Sequence, residues 1–228
     1  MIRNILFDLD DTLLDFHMAE KIALKKTLLH LGIEPKEEFL TRYSEINLAQ
    51  WRMLEQGKLT RSQVKLRRYQ ILFDEIGADC SAEQATEYYE NLLCLGHYFI
   101  EGAEETLKVL SKDYCLFIAS NGTAKVQRSR IESAGIWKYL SGLFISQEIG
   151  YDKPSIGFFN YCFAHIDGFC KAETTIVGDS LTSDIKGGNI AGITTVWYNP
   201  KGSSNSSDVK PHFEIRHLSE LECLFKTI

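Results

Sequence analysis

The chain has 228 residues, of which 44% are hydrophobic and 25% are charged, so it can bury a full core. This composition excludes the disordered and fibrous classes of protein. The 31 acidic and 25 basic residues give a formal charge of -6, and no Lys/Arg block accompanies them, so we expect no polymeric nucleic acid as a partner.

The first predicted element is an apolar strand over residues 2–7, which ends at Asp8. Asp8 and Asp10 project the same way if the strand geometry continues, and their carboxylates then share one small site. At about 4 Å such a pair repels by about 4 kcal/mol at an effective dielectric constant of about 20. The pair therefore requires a shared proton or a bound cation. The alternative interpretation of this short D-x-D pattern is a solvated acidic turn.

Residues 15–97 contain four successive helical patterns and no convincing strand, which predicts an inserted helical domain. The first helix is expected to end at Gly32 and the second near Gly57. Two capping-box spacings, Thr60 with Gln63 and Ser81 with Gln84, mark the starts of the third and fourth helices.

Strand and helix patterns alternate in the rest of the chain, which predicts an α/β fold with a doubly wound parallel sheet. We expect an α/β core over residues 1–14 and 98–228 and a helical domain over residues 15–97. The predicted strands lie at 115–119, 143–145, 174–177, 193–197 and 212–215, and the predicted helices at 124–135, 154–165 and 183–192.

Polar residues follow two of these strands. Ser120, Asn121 and Gly122 come after the second core strand and open a helix, where a hydroxyl and free backbone N–H groups could meet an anion. Further on, Lys153 precedes Pro154, which fits the first turn of a helix, and the lysine could supply a balancing positive charge. Each pattern has an ordinary alternative, a simple turn for the first and a solvated surface lysine for the second.

A second acidic motif runs from Gly178 to Asp184, again after an apolar strand. If the strands are neighbours, Asp179 faces Asp8, and carboxylate oxygens of this kind are the usual ligands of Mg²⁺. Helix capping is the alternative interpretation, more easily for Asp184 than for Asp179. The order of all four motifs favours a single site, because ligands of open α/β sheets bind outside the carboxyl ends of the strands.

At these residues the chain resembles the haloacid dehalogenase superfamily, and the resemblance covers the whole chain. The superfamily's four motifs correspond to the run Asp8-Leu9-Asp10-Asp11-Thr12, to Ser120, to Lys153 and to the stretch from Gly178 to Asp184. Members with a helical cap of the C1 type carry it just after the first motif, where residues 15–97 lie.

The resemblance implies a Mg²⁺-dependent phosphatase that hydrolyses small phosphate monoesters. Asp8 would attack phosphorus to form an aspartyl-phosphate, while Asp10 would protonate the leaving oxygen and later activate water. The implied catalytic residues are Asp8, Asp10, Ser120 and Lys153. The implied metal ligands are Asp8, the Asp10 backbone carbonyl and Asp179, with Asp184 supporting either the metal or Lys153. Ser120, Asn121, Gly122 and Lys153 would bind the substrate.

The substrate class is expected to follow from Asp11 and from the helical cap. Many phosphatases of the superfamily have Gly in place of Asp11, whereas members similar to pyrimidine 5'-nucleotidases often carry an acid there, and the run over 145–154 is similar to theirs. We therefore expect a pyrimidine nucleoside 5'-monophosphate. Phe16, His17 and the turn over 55–59 are candidate specificity residues. Trp51, Tyr43 and Tyr69 could stack a base, but we favour helix-core packing for them.

Other functions remain open on the sequence. These are a sugar-phosphate or phosphoglycolate phosphatase, a phosphomutase, and a non-catalytic regulator that binds a phosphorylated metabolite. A dehalogenase is disfavoured, because those relatives lack the aspartate that Asp10 provides for protonating an oxygen leaving group.

Cysteine spacing and hydropathy bear on the cellular setting. The six cysteines include no C-x-x-C pair and no zinc-type spacing, which indicates reduced thiols. No segment approaches the roughly 20 apolar residues of a membrane span, and the first apolar run is too short for a signal peptide. We expect a cytoplasmic protein whose partner is a small phosphorylated metabolite and not a membrane; the sequence does not specify the oligomeric state.

Overall fold

The structure, a computed structural model, describes all of residues 1–228, which divide into two compact units. The first comprises Met1–Asp15 with His97–Ile228, and the second comprises Phe16–Gly96. These divisions lie one residue from the domain boundaries predicted from the sequence. Within the first unit, the Asp15 N–H donates to the Tyr98 carbonyl at 2.8 Å, which ties together the two points where the chain leaves and re-enters this unit.

The first unit is built on a six-stranded sheet in which every strand pair is parallel. The spatial order is β3-β2-β1-β4-β5-β6, so the chain builds outward from β1 on one side and then on the other. The predicted doubly wound parallel sheet is thereby confirmed. The strands are β1 (Asn4–Phe7), β2 (Cys115–Ser120), β3 (Gly142–Ile145), β4 (Thr174–Gly178), β5 (Thr194–Tyr198) and β6 (Phe213–Ile215).

Ten α-helices accompany the strands, four in the helical unit and six in the α/β unit. In the helical unit they are α1 (Phe16–His30), α2 (Glu37–Glu55), α3 (Arg61–Ile76) and α4 (Ala82–Leu93). In the α/β unit they are α5 (Ala103–Leu110), α6 (Ala124–Ser133), α7 (Ser146–Ile149), α8 (Ile156–Ala164), α9 (Lys186–Ala191) and α10 (Glu220–Phe225). No helix is long and apolar enough to cross a membrane.

Apolar side chains lie on both faces of the sheet, which explains why the strands are continuous hydrophobic runs. Along β1, Ile5 and Phe7 contribute to one hydrophobic cluster, whereas Leu6 contributes to another with Ile176. This division follows from the alternation of side chains along a strand. Because β1 is central and covered on both faces, its carboxyl end holds the following residue in a fixed position.

The local signals predicted at the helix starts account for two of the helical boundaries, those of α3 and α4. At Thr60 the predicted capping box is complete, with hydrogen bonds in both directions between Thr60 and Gln63. At Ser81 the hydroxyl accepts from the Gln84 N–H, as expected, but it also donates to Glu83. The prediction that Pro154 lies in the first turn of a helix is wrong: α8 begins two residues later, with Ser155 as its N-cap.

The interior of the helical unit contains charged and aromatic side chains. Tyr43, Tyr69 and Tyr89 are fully buried, and their ring centroids lie 4.7–5.8 Å from the Arg68 guanidinium. Arg68 donates to Asn47 at 3.1 Å, and Asn47 donates to Glu20 at 2.6 Å. Tyr43 and Tyr69 therefore pack in the helix core, as we favoured, and do not form a stacking surface for a base.

Candidate active site

The candidate site is built at the carboxyl ends of β1, β2 and β4, the point where the strand order reverses. Phe7 of β1 pairs with Val177 of β4, and the Asp8 N–H donates to the Val177 carbonyl at 2.9 Å. This register places Asp8 beside Gly178 and one residue before the level of Asp179. The two strands are neighbours, which was the condition for Asp8 and Asp179 to meet.

Three carboxylates converge at this end of the sheet. Asp8, Asp179 and Asp184 each have an oxygen within 4.8 Å of the others. The Lys153 amine donates to Asp8 Oδ1 at 2.6 Å and to Asp184 Oδ1 at 2.6 Å, and its side chain is only 1% exposed. The structure thus brings together four of the predicted site residues, which come from three separate sequence motifs.

Burial and mutual repulsion control the protonation of this group. Burial raises the pKa of Asp8 to about 8, against the lowering effect of Lys153. Burial and the charge of Asp8 also hold the pKa of Asp179 well above its ordinary value. Burial alone would lower the pKa of Lys153, but the carboxylates of Asp184 and Asp8 raise it above the usual range. Asp8 and Asp179 thus resist ionisation until a further positive charge joins them.

The donor set fits Mg²⁺. Three carboxylates and one ammonium, all ionised, leave two excess negative charges in a largely buried space. All of the candidate ligands are hard oxygen atoms, which Mg²⁺ prefers, and no cysteine or histidine belongs to the group. Burial and mutual repulsion raise the pKa values of Asp8 and Asp179, and a divalent cation held by these two residues, with Asp184 beside them, would favour their ionised forms.

Asn121 positions the backbone of Lys153. Its Oδ1 accepts from the Lys153 N–H at 2.8 Å, and its Nδ2 donates to the Lys153 carbonyl at 2.9 Å. Asn121 was predicted to bind the substrate, and in the structure both polar atoms of its side chain are engaged by the segment before α8. The peptide bond between Lys153 and Pro154 in this segment is cis.

Asp10 points to α6 and not to the other acidic side chains. Its Oδ2 accepts from Gln127 Nε2 at 2.7 Å, and its Oδ1 forms an ion pair with Arg130. The carboxylate therefore lies outside the group formed by Asp8, Asp179 and Asp184, which leaves the backbone carbonyl as the part of Asp10 predicted to meet a metal.

Gln127 and Arg130 were not predicted as site residues, because the sequence of α6 is mostly polar and is typical of an exposed helix. Their spacing of three residues, which places them on one helix face beside Val126 and Ile131, is the signal that could have found them.

Ser120 lies at the end of β2 and is 1% exposed. Its hydroxyl oxygen accepts from Gln127 Nε2 at 2.8 Å and from the Gly122 N–H at 3.0 Å. The Gly122 N–H, which the sequence predicted to be free for an anion, is thus engaged by Ser120 in this state. Gly122 also lies close to α6, since a Cβ atom there would meet the Gln127 side chain at 2.5 Å.

Two residues that the sequence analysis did not assign to the site orient Asp179. Thr12 is fully buried, and its hydroxyl accepts from the Asp179 N–H at 3.1 Å. The Trp197 indole N–H donates to the Asp179 carbonyl at 2.8 Å. Gly178 is necessary for Asp184, because a Cβ atom at Gly178 would lie 2.2 Å from Asp184 Oδ2.

Asp11 is the only non-glycine residue with a positive φ, at 58°. This left-handed conformation favours Gly, and Asp is among the few other residues that adopt it readily. The preference for Gly at this position in many members of the superfamily has a physical basis here. Phe16, the predicted specificity residue, is the first residue of α1 in the helical unit, and its role remains a prediction.

Comparisons with known proteins agree with the family that the four motifs predict. A family model described as haloacid dehalogenase-like hydrolase matches residues 5–198. The HAD-hydrolase YfnB of Bacillus subtilis is 37% identical over 219 residues, which cover 96% of this chain and 93% of that protein. Its magnesium-bound crystal structure has a TM-score of 0.94 and covers 98% of each chain. The pyrimidine 5'-nucleotidase PynA of Streptococcus pneumoniae is 35% identical, covering 98% of this chain and 95% of the relative.

Proposed function

The chain belongs to the haloacid dehalogenase-like hydrolase family, and from this membership we propose a Mg²⁺-dependent phosphatase that hydrolyses small phosphate monoesters through an aspartyl-phosphate on Asp8. The family predicted from the four motifs is confirmed, and the chain is an enzyme of that family. The observation that carries the proposal is the convergence of Asp8, Asp179, Asp184 and Lys153 at one end of the sheet.

Asp8 is the nucleophile in the proposed reaction. One of its oxygens attacks phosphorus in line, and the bond between phosphorus and the ester oxygen breaks. Asp10 donates a proton to that departing oxygen, which leaves as an alcohol. Asp10 then takes a proton from a water molecule, the water oxygen attacks phosphorus, and the bond to Asp8 breaks to release inorganic phosphate. Each step conserves charge without an oxidant or a reductant.

Charge on the phosphoryl oxygens would be countered by a bound cation and by Lys153. Asp8, Asp179 and the Asp10 carbonyl would hold Mg²⁺, which would supply positive charge to the phosphoryl oxygens. Lys153 donates to Asp8 directly, and its buried positive charge would stabilise the charge on the phosphoryl oxygens, because an electrostatic interaction is stronger there than in water. Asp184 keeps the Lys153 amine charged and in place.

We propose pyrimidine nucleoside 5'-monophosphates as the substrate class. Two relatives support this choice: PynA, and the pyrimidine 5'-nucleotidase YjjG of Escherichia coli, which is 26% identical and whose match covers 96% of each chain. Asp11 and the run over 145–154, which are similar to those of pyrimidine 5'-nucleotidases, also support this substrate class. Phe16 is proposed to contribute to this specificity.

Phosphate release from a panel of monoesters tests the proposal. The panel contains nucleoside monophosphates, sugar phosphates and phosphoglycolate, each assayed with Mg²⁺ and with a chelator, and Asp8→Asn is the inactive control. Selective Mg²⁺-dependent hydrolysis of pyrimidine monophosphates is the expected result. A preference for a sugar phosphate or phosphoglycolate would keep the phosphatase reaction but contradict the proposed substrate class. An absence of turnover by folded protein would overturn the proposal in favour of a mutase or a binding protein.

A further inference from the structure

Helix α6 carries two long polar side chains that are buried. Gln127 is 1% exposed and Arg130 is 0% exposed, and both lie on the helix face that includes Val126 and Ile131. Long polar side chains are rarely buried unless they are hydrogen-bonded, because desolvation of an unpaired polar or charged group is costly. Their partners therefore indicate why they are there.

The Gln127 amide joins three groups of the site. Its Nε2 donates to Asp10 Oδ2 at 2.7 Å and to Ser120 Oγ at 2.8 Å, and its Oε1 accepts from Arg130 Nη1 at 3.1 Å. The orientation of the amide is chemically determined, because a carboxylate only accepts hydrogen bonds and a guanidinium only donates them. Both N–H groups and the carbonyl of this side chain are therefore used.

Arg130 holds the other oxygen of Asp10. The same Nη1 that donates to Gln127 forms the ion pair with Asp10 Oδ1. Both carboxylate oxygens of Asp10 are thus engaged from one face of one helix, although the Asp10 side chain remains 28% exposed. This arrangement fixes the rotation of the carboxylate and leaves one side of it open.

The same network sets the direction of the Ser120 hydroxyl. Ser120 Oγ accepts one hydrogen bond from Gln127 and one from the Gly122 N–H, which uses both of its lone pairs. The hydroxyl proton is then left to donate to a third group. Under the proposed function, that acceptor is a phosphoryl oxygen of the substrate.

We propose that Gln127 and Arg130 are positioning residues that aim Asp10 at the leaving oxygen and orient Ser120 as a hydrogen-bond donor. This inference rests on the proposed phosphatase function, since it assigns the two residues a part in the same reaction. They act through Asp10 and Ser120 and do not themselves touch the reacting atoms.

The test compares leaving groups. Phosphorylation of Asp8 by p-nitrophenyl phosphate needs little proton donation, because p-nitrophenolate is a stable anion, whereas benzyl phosphate needs a well-aimed acid. For Arg130→Met and Gln127→Met we expect kcat/KM for benzyl phosphate to fall by about 10²-fold, the lower end of a general-acid contribution. The loss for p-nitrophenyl phosphate should be at least tenfold smaller, and Arg130→Lys should restore part of the benzyl phosphate activity.

Arg128→Met is the matched control. Arg128 lies on the same helix but is exposed and pairs with Glu148 at 2.8 Å, so its loss should leave both substrates unaffected. Thermal unfolding of each variant shows that it is folded, and Gln127→Met carries the test if Arg130→Met does not fold.

The outcomes separate the inference from the function on which it rests. An equal loss for both substrates in folded variants would overturn the positioning of Asp10 while leaving the phosphatase intact, because a loss of Ser120 orientation affects both substrates alike. A wild-type protein that hydrolyses neither ester would overturn the proposed function, and the inference with it.

Discussion

Asn121 and Lys153 are joined by two hydrogen bonds between the asparagine side chain and the lysine backbone, at 2.8 and 2.9 Å. This pair connects the end of β2 to the segment that precedes α8. It holds the Lys153 backbone, from which the amine reaches Asp8 and Asp184. The position of a catalytic charge in the proposed reaction thus depends on a neutral side chain from another motif.

Asn121→Ala should therefore lower the rate of phosphoryl transfer without removing any charge. A shift of about 1 Å in a positioned group can cost about 10²-fold in rate, and we expect a loss of about 10- to 100-fold in kcat/KM. Asn121→Asp is the matched variant, because it retains the acceptor for the Lys153 N–H but loses the donor to the Lys153 carbonyl. Steady-state kinetics of the folded variants measure the effect, and wild-type activity in Asn121→Ala would contradict it.

Gly178 and Asp184 form a second close pair, because a Cβ at residue 178 would lie 2.2 Å from Asp184 Oδ2. Gly178→Ala should displace Asp184 and destabilise the fold by about 1–3 kcal/mol, as overpacking does. The same change in an Asp184→Ala background should cost less, since the two carboxyl atoms at 2.2 and 2.4 Å are gone and only the Cβ of residue 184, at 2.7 Å, still has to move. Chemical denaturation of the wild type, both single variants and the double variant measures this coupling. Additive effects would contradict the argument.

Glu20 should make the stability of the protein depend on pH. Burial raises the pKa of this carboxyl above 4.5, even though Ser44, Arg68 and Asn47 favour its ionised form. The unfolded carboxyl ionises first, so the free energy of unfolding falls as pH rises above 4.5 and levels off once the folded pKa is passed. The slope of this contribution is at most about 1.4 kcal/mol per pH unit.

The variant Glu20→Gln lacks this titration, so its stability relative to the wild type should improve as pH rises through the window above 4.5. A constant offset caused by altered hydrogen bonds does not affect this trend. Chemical denaturation at a series of pH values measures it, with the exposed Glu37→Gln as a variant that removes the same charge from the surface. A difference between Glu20→Gln and the wild type that is independent of pH would show that Glu20 ionises normally in the folded protein.

Asp11 occupies a left-handed conformation, with φ at 58°. Replacement by Gly should be close to neutral for stability, because Gly relieves the backbone strain but adds unfolded-state entropy. Replacement by Ala should cost about 1 kcal/mol relative to Gly, since a Cβ is disfavoured there and the carboxylate no longer compensates. Thermal unfolding of Asp11→Gly and Asp11→Ala checks the order; greater stability of Asp11→Ala than of Asp11→Gly would refute the strain argument.

The parallel sheet was predictable because its strands are buried on both faces and therefore appear as uninterrupted apolar runs. Helices α5 and α10 were not predicted. The buried residues of helix α5 have helical spacing, but the pattern extends over only eight residues, too few to be distinctive in the sequence. They are Ala103, Thr106, Leu107 and Leu110. Pro154 was assigned to a helix from local preference alone, whereas the Asn121 contacts determine the path of the backbone before it.

Asp8 and Asp179 were predictable because each directly follows an apolar strand, and parallel strands bring their carboxyl ends together. Lys153 lies beyond the short helix α7 and was predicted from the order of the four motifs. Gln127 and Arg130 were not, because polar residues on a short helix are usually exposed and their burial depends on tertiary packing. The role of Thr12 was also not predictable, because its hydrogen bond with the Asp179 N–H depends on the pairing of β1 with β4.

The most direct test of the account is to trap the phosphorylated enzyme. The protein is mixed with a hydrolysable monoester and Mg²⁺, quenched in acid within the first turnover, and treated with borohydride, which reduces an acyl phosphate to an alcohol. Peptide mass spectrometry should then find homoserine in place of Asp8, and Asp8→Asn should show neither modification nor turnover. Turnover by wild-type protein with Asp8 unmodified, together with undiminished turnover by Asp8→Asn, would contradict the assignment of Asp8 as the nucleophile.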